Sequence, residues 1–356
     1  MTTDAAPGTL AVIGAGVVGL MVAWRAAALG WTTTVYRDPD TDPASAVAGG
    51  MLGCLAEARP GEDQLLAFSR AAAQRWPQVI VDLGDPSVMV ATDTLLVAAD
   101  SADAGYLTGV ETYLNTQGCG LKPLSSREIR SIAPGLGSSV RRGRLAVGEG
   151  AVDNRALLRA LTVAVAAAGV QTRTGRVTDI RRLPVDQVVV AAGAATPEML
   201  PHNRVRADKG EILRLRRPKT APAPLPLVVR ARWRSRLVYI VPRPDAVVVG
   251  ATQYEVGDRR NIGPRAGGVA DLLRDAIDLL PALAEYQVAE VGGGVRPVTP
   301  DALPLIGRID HRTIIAAGHG RNGIMLSPIT AEIVGDLLSG RPDNRWASVL
   351  DPRRFT

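Results

Sequence analysis

Two glycine-bearing segments carry the clearest chemistry in this sequence. Gly14-Ala15-Gly16-Val17-Val18-Gly19 follows one apolar run and opens another. Glycines at these spacings let the backbone turn tightly, approach a pyrophosphate and pack a helix on a strand. The start of that helix faces an anion with free N–H groups. Such a fingerprint expects a carboxylate about 20 residues on, for the ribose hydroxyls. The matching strand end reads Val35-Tyr36-Arg37-Asp38. Asp38 is the preferred ribose partner; Arg37 in the usual acidic place suits a 2′-phosphate, or a solvated position beside the adenine. The second segment, Gly318-His319-Gly320-Arg321-Asn322-Gly323, offers another backbone-rich turn and an arginine about 300 residues later. A plain NAD domain does not need it, whereas a flavin enzyme that folds its C-terminus back onto the cofactor does. A third run of small residues, Ser45 to Gly53, lets backbone approach a planar ring closely, although a flexible loop has the same composition.

These residues need elements to hold them. Thr9 to Ile13 reads as a buried parallel strand, Val17 to Leu29 as a helix closed by Gly30, and Thr32 to Tyr36 as the next strand. Together they form a β-α-β unit, the start of a doubly wound sheet. Helices are expected over Leu65 to Trp76 (ended by Pro77), Asp103 to Gln117, Ser125 to Ile132, Asp153 to Ala168, Val269 to Leu280 and Ile329 to Leu338. Asp153 is the expected N-cap and Gly169 the C-cap of the fourth. Strands are expected at Thr94 to Ala99, Val188 to Ala192 and Thr313 to Ala317, with a β-rich block of Gly210 to Arg216, Leu227 to Arg232, Leu237 to Val241 and Ala246 to Ala251. Pro242 to Asp245 turns the last two into a hairpin, and Pro218 to Pro226 is a surface loop. Parallel α/β segments at both ends thus enclose an antiparallel block.

Composition narrows the function classes. The chain has 356 residues, long enough for two domains and a large core. Net charge is +6 and the isoelectric point about 9.7. A basic balance raises nucleic acid as a partner. However, the arginines are dispersed, and the densest run, Arg230 to Arg236, reads as an edge strand or loop without aromatic stacking platforms. Nucleic acid binding is therefore only a distant alternative. Cys54 and Cys119 lack metal-ligand spacing and read as buried small apolar residues; three scattered histidines make no zinc cluster. No metal is expected. The first charged residue is Asp4, with no basic n-region, and the apolar run Leu10 to Trp24 is too short to span a bilayer. The expectation is a cytoplasmic homo-oligomer without a membrane partner.

Five segments, Gly14–Gly19, Ser45–Gly53, Val238–Gln253, Gly294–Arg308 and Ala316–Pro328, agree in order with one family over nearly the whole chain. The sequence resembles the D-amino-acid-oxidase-like flavoproteins, and within them the glycine oxidases of thiamine biosynthesis. The resemblance implies an α/β fold, with a Rossmann-like FAD-binding domain and an inserted antiparallel-sheet substrate domain. It divides as 1–85, 146–205 and 293–356 for the FAD-binding domain, and 86–145 and 206–292 for the substrate domain. FAD would lie along Gly14, Gly16, Val17, Val18 and Gly19, Arg37 and Asp38, Ala44 and Ser45, Gly49, Gly50 and Met51, and Val177. His319, Gly320, Arg321, Asn322, Gly323, Ile324 and Met325 would meet its isoalloxazine.

By the same resemblance, Arg296 binds the substrate carboxylate, Arg321 is a second substrate-contacting arginine, and Tyr239 is the active-site tyrosine. Met51 and Gln253 would line the substrate. Two departures stand out: Arg37 replaces the family's usual acid, and Gln253 stands where some glycine oxidases carry methionine. The implied reaction oxidises glycine to its imine, then glyoxylate and ammonia, with hydrogen peroxide formed; a D-amino acid or sarcosine is the alternative substrate. The chemistry is consistent with the residues. An arginine holds a carboxylate bidentately and a phenol adds a hydrogen bond, which positions the Cα–H for transfer. With a neutral amine, no strong side-chain base is needed. The turn at Gly320 to Gly323 can offer N–H groups to charge developing on the flavin. Each residue also has a structural reading: Arg296 as a strand-end arginine, Tyr239 as a cavity wall, His319 as a donor to a carbonyl.

Overall fold

The computed structural model describes residues 7–201, 203–260, 262–341 and 345–355. Asp4 and His202, used in the sequence reading, lie outside the described residues. Two large sheets organise the chain. The first has six strands in the spatial order β16 (Leu305–Arg308), β17 (Thr313–Ala317), β9 (Gln187–Val190), β1 (Thr9–Ile13), β2 (Thr32–Arg37) and β8 (Gln171–Thr174). Parallel neighbours flank β1 on both sides, with Ile13 opposite Tyr36 on β2 and Val190 on β9. Its run Leu10 to Ile13 is buried on both faces, as a parallel strand covered by helices requires. The helices Val17–Ala28 and Gly323–Leu338 pack closely together, because a side chain at Gly335 would meet Leu29 at 3.1 Å and Arg25 at 3.2 Å.

The second sheet runs β14 (Tyr254–Glu255), β10 (Arg206–Arg216), β13 (Ala246–Gly250), β12 (Arg236–Arg243), β11 (Val228–Trp233), β4 (Thr94–Ala98), β6 (Arg142–Ala146) and β5 (Lys122–Leu124). A further strand, β15 (Gln287–Val298), pairs with β10. A small ribbon joins β3 (Met89–Ala91) to β7 (Ala151–Val152). The larger sheet is antiparallel except where β11 meets β4. Alternation then sorts its residues. Leu213, Leu215, Val229, Ala231, Val238, Ile240, Val247 and Val249 form one core with Leu272, Ala276 and Leu279 of the helix Ala266–Leu279. Full burial of each such aliphatic side chain contributes about 1.5–3 kcal/mol. The opposite face carries one row, Arg230, Tyr239, Gly250, Ile212 and Gly292, in register across five strands. Arg296, Asp208, Gly210 and Gly294 lie on that same face by the β10–β15 register.

The α/β architecture and most elements follow the sequence reading; the differences have local causes. Pro77 does not merely end a helix: one helix covers Asp63–Ala73, and a second, Trp76–Leu83, starts with the proline in its first turn, where its missing N–H leaves no bond broken. The last helix begins at Gly323 rather than Ile329 and contains Pro328. Pro328 cannot donate to Ile324, and the Ser327 hydroxyl donates to that carbonyl instead, at 2.8 Å. The strand β12 continues through Arg243, so the hairpin turn is only Pro244–Asp245. In the Arg230 to Arg236 run, Arg230 to Trp233 is no edge, since β11 lies between β12 and β4, and Arg234-Ser235 is the turn into β12. The strand β15 lacks apolar alternation and holds three consecutive glycines, so the sequence carries no strand signal for it.

Candidate functional site

The cradle at the first glycine segment is built by backbone proximity. Gly14 has φ +114° and donates its N–H to Tyr36 O at 2.9 Å. A side chain there would lie 2.3 Å from Ala191 O, and one at Gly19 would lie 1.9 Å from Gly14 O. Only glycine fits either place. Gly16 caps the helix with no side-chain hydrogen bond, the first turn of Val17, Val18 and Gly19 holds no carboxylate, and Ser45 Oγ accepts from Val17 N–H at 3.2 Å. This open, positive helix end fits a pyrophosphate. At the end of β2, Arg37 is exposed and Asp38 half-buried, its carboxylate accepting from Asp40 N–H at 3.0 Å. Val177 packs against the buried cluster that includes Ile13 and Val190. These residues fit the adenosine half of a dinucleotide such as FAD.

The small-residue run is not a loose loop. Ala44–Val47 is a short helix, Gly50 has φ +88°, and Met51 bridges to Ala151 of β7. Side-chain donors, two of them buried, hold its carbonyls. Asn154 Nδ2 donates to Ser45 O at 2.7 Å, Arg155 Nε to Ala46 O at 3.3 Å, and Arg243 Nη2 to Gly49 O at 3.1 Å. Arg243 also faces Asp153 at 3.3 Å; burial pushes its guanidinium down to about 10. Burial pushes the Asp153 carboxyl up, but the N–H groups of Ala156 and Arg155 and the Arg243 charge outweigh it and hold it low. None of these anchors was signalled by the sequence beyond Asp153 as a helix cap.

At the second glycine segment, Gly318 and Gly320 have φ +81° and +58°. Asn322 N–H donates to His319 O at 3.1 Å, and the last helix starts at Gly323. Asn322, Ile324 and Met325 are buried, and Met325 O accepts from Trp76 Nε1 at 3.0 Å. His319 does not donate to a carbonyl. Its Nε2 lies 3.0 Å from the Thr330 hydroxyl, which spends its own proton on Leu326 O at 2.8 Å. The imidazole is therefore assigned as the Nε2–H tautomer, and burial drives its pKa down to about 3.

A cluster of Tyr239 and Arg296 sits on the open face of the larger sheet. Glycines make its room: a side chain at Gly250 would reach 2.4 Å from the Tyr239 ring, and one at Gly49 would reach 2.8 Å. Gly210 leaves space for the Arg296 guanidinium, 2.3 Å from where a Cβ would stand. Arg296 donates to Thr252 O at 3.3 and 3.4 Å and faces Asp208 at 3.9 Å. Burial pushes the Asp208 carboxyl up, against the Arg296 charge and a hydrogen bond from Gln253. Gln253 is exposed and acts on Asp208. Burial raises the Tyr239 phenol while the Arg296 charge opposes, so the hydroxyl stays a proton donor at neutral pH.

Arg321 reaches the same region from the second glycine segment. It faces Glu57 at 3.3 Å, pairs closely with Glu62, and donates to Glu57 O at 3.2 Å. Arg230 pairs with the other oxygen of Glu57. Sequence reasoning missed Glu57, Glu62, Arg230 and Asp208, which share no spacing along the chain. The structure thus brings Tyr239, Arg296, Met51 and Arg321 toward one region, with Gln253 at its rim. Such a site can hold a small carboxylate against a neutral phenol, beside a cradle shaped for a dinucleotide.

Comparison with known proteins gives a consistent picture. The sequence pattern of the DAO family, described as FAD dependent oxidoreductase, matches residues 9–337. The chain is 32% identical over 351 residues to the bifunctional protein ThiO/ThiG of Nostoc sp., covering 92% of this chain and 52% of that protein. It spans about half the length of the bifunctional relatives it matches. It is 33% identical over 340 residues to a putative thiamine biosynthesis oxidoreductase ThiO of Rhizobium etli, covering 94% of this chain and 98% of that one. The crystal structure of glycine oxidase from Geobacillus kaustophilus superposes with a TM-score of 0.86 at 27% identity, covering 98% of this chain and 99% of that one. No helix among the described residues is long and apolar enough to cross a membrane.

Proposed function

Because the chain belongs to the DAO family of FAD-dependent oxidoreductases, we propose that it oxidises glycine to its imine, which water converts to glyoxylate and ammonia. The observation that carries this reading is the confined clamp. Arg296 and Tyr239 share one sheet face, and backbone at Gly49, Gly210 and Gly250 closes around them. A substrate held there has a carboxylate for Arg296 and little room for a side chain. The names of the relatives point the same way.

In this reading, bound FAD supplies the acceptor for the electron pair and oxygen takes it on to hydrogen peroxide. The protein's own contribution is positioning. Arg296 binds the substrate carboxylate, Tyr239 donates to it, and Met51, Gln253 and Arg321 border the remaining space. Gly14, Gly16, Val17, Val18 and Gly19, with Asp38, Arg37 and Val177, hold the adenosine half. Ala44, Ser45, Gly49, Gly50 and Met51, with His319 to Met325, border the flavin. The His319 ring stays neutral, so it adds no charge beside the flavin. The division into two interleaved domains at 1–85, 86–145, 146–205, 206–292 and 293–356 belongs to the same reading. So do a cytoplasmic location and self-association, the latter checked by light scattering.

The test is a visible spectrum of the purified protein and a peroxide assay with glycine, sarcosine, D-alanine and D-proline. Flavin absorption and turnover of glycine are expected. Strong turnover of sarcosine or D-alanine with none of glycine would replace the substrate; a protein unable to take up FAD would sink the whole reading.

A further inference from the structure

The function above uses Arg296 and sets Arg321 at the border of the substrate, and leaves the charges that surround Arg321 beside Tyr239 unexplained. Arg230 is the cross-strand partner of Tyr239 and projects from the same sheet face. Its guanidinium pairs with Glu57 Oε1, while Glu57 Oε2 faces Arg321 Nε at 3.3 Å. One carboxylate thus ties two arginines arriving from unrelated elements. The side chains of Arg230 and Glu57 are 12% and 9% exposed, and that of Arg321 20%. Glu62 holds the far side of Arg321. Arg59 lies close enough for its charge to feel Arg321, Glu62, Glu57 and Arg230. Three guanidinium groups and two carboxylates therefore share a half-buried space.

The segment that bears Glu57 is rigidly placed. The buried Glu149 carboxyl accepts the N–H of Leu55 at 2.7 Å and of Ala56 at 2.9 Å, and takes the Cys54 thiol at 2.7 Å. Glu57, Ala58 and Arg59 line two neighbouring clefts. Arg230 borders the larger and Arg321 the smaller. An acid group of a ligand would offer this half-buried arginine pair what Glu57 offers it: two oxygens, each facing one guanidinium.

We infer that Glu57 determines specificity: its carboxylate fills the place where a second acidic group of an amino substrate would meet Arg230 and Arg321, so the site accepts amino acids with one carboxylate and rejects those with two. This rests on the proposed carboxylate clamp at Arg296. Repulsion from Glu57 excludes the second acid, and pairing keeps both arginines from capturing it wrongly. Glu57→Gln removes one negative charge, keeps the side-chain volume and takes the carboxylate partner from Arg230, while Glu62 still holds the far side of Arg321.

The experiment titrates the FAD-loaded protein with acetate and with malonate, following the flavin absorbance. The wild type should bind acetate and show weak binding of malonate. Glu57→Gln should shift the malonate-to-acetate affinity ratio by about tenfold or more toward malonate, the scale of one charge-assisted hydrogen bond. Glu57→Asp, which keeps the charge, should retain preference for acetate. Adding Arg230→Met to Glu57→Gln should erase the gain, which general loosening of the fold would not do. Acetate binding with an unchanged ratio in Glu57→Gln overturns the role of Glu57 alone. If acetate perturbs neither protein, the carboxylate clamp falls and this inference falls with it. If Glu57→Gln loses flavin, the ratio is read instead from Arg230→Met alone, where Glu57 loses a neutralising partner; a further shift toward acetate supports the role of Glu57, and an unchanged ratio or a shift toward malonate overturns it.

Discussion

His319 offers the sharpest test of the site's electrostatics. Its ring is 2% exposed, and burial lowers its pKa from 6.5 to about 3. The folded protein thus holds the neutral ring, while the unfolded chain binds a proton below pH 6.5. Stability carried by the neutral ring is complete above pH 6.5 and is lost as pH falls toward 3. Each pH unit in that window costs about 1.36 kcal/mol, so lowering pH from 7 to 5 costs about 2 kcal/mol through this residue. At pH 5 the folded ring is still far above its own pKa, so the figure depends on the ordinary value and not on the depressed one. His319→Asn keeps a donor for Thr330 and cannot titrate. Urea unfolding at pH 7 and pH 5, followed by tryptophan fluorescence with saturating FAD, gives the acid-induced loss for each protein. The loss should be about 2 kcal/mol smaller in His319→Asn, whatever its stability at pH 7, because every other titrating group is common to both. Equal losses would refute the reasoning. So would an imidazole NMR resonance, absent from His319→Asn, that titrates near pH 6.5 in the folded wild type.

Other expectations follow from single contacts. Gly250→Ala places a methyl 2.4 Å from the Tyr239 ring; it should destabilise by about 1–3 kcal/mol and raise KM for glycine more than it lowers kcat. Arg296→Lys keeps the charge but loses the two-pronged geometry, and KM should rise at least about tenfold while the flavin spectrum stays intact. Asn154→Ala removes the bond to Ser45 O and one of two acceptors of Arg243 Nη2, both buried; a stability loss of about 1–3 kcal/mol and faster FAD release in stopped-flow fluorescence are expected. Gly109 sits exposed in the helix Ser101–Thr116 with open space at its Cβ position, so Gly109→Ala should stabilise by about 1 kcal/mol, read as a raised Tm with unchanged activity.

Local signals explain why much of the fold was legible. A strand buried on both faces must be apolar without a break, as Leu10 to Ile13 is. A helix needs a cap, and Asp153 accepts from both Arg155 and Ala156 N–H at 2.9 Å. Ser125 with Glu128 completes a capping box. The errors came where a local rule was answered by a neighbour. Pro328 reads as a boundary until Ser327 supplies the bond it lacks. Gly292, Gly293 and Gly294 interrupt any apolar alternation, yet they form part of β15, where β10 supplies the ladder and a side chain at Gly294 would meet Val47 at 3.2 Å.

The sequence alone determined the dinucleotide cradle, since its glycines obey short-range rules of φ, Cβ clearance and helix termination. It also carried enough motif order to assign Arg296, Tyr239 and Arg321 by resemblance. Only the tertiary structure decided what surrounds them. Glu57, Arg230 and Arg321 lie far apart along the chain and meet because strand register and the second glycine turn converge. Charges that pair across such separations leave no periodic trace in sequence, because their energy depends on distance in space and on the burial that removes water between them.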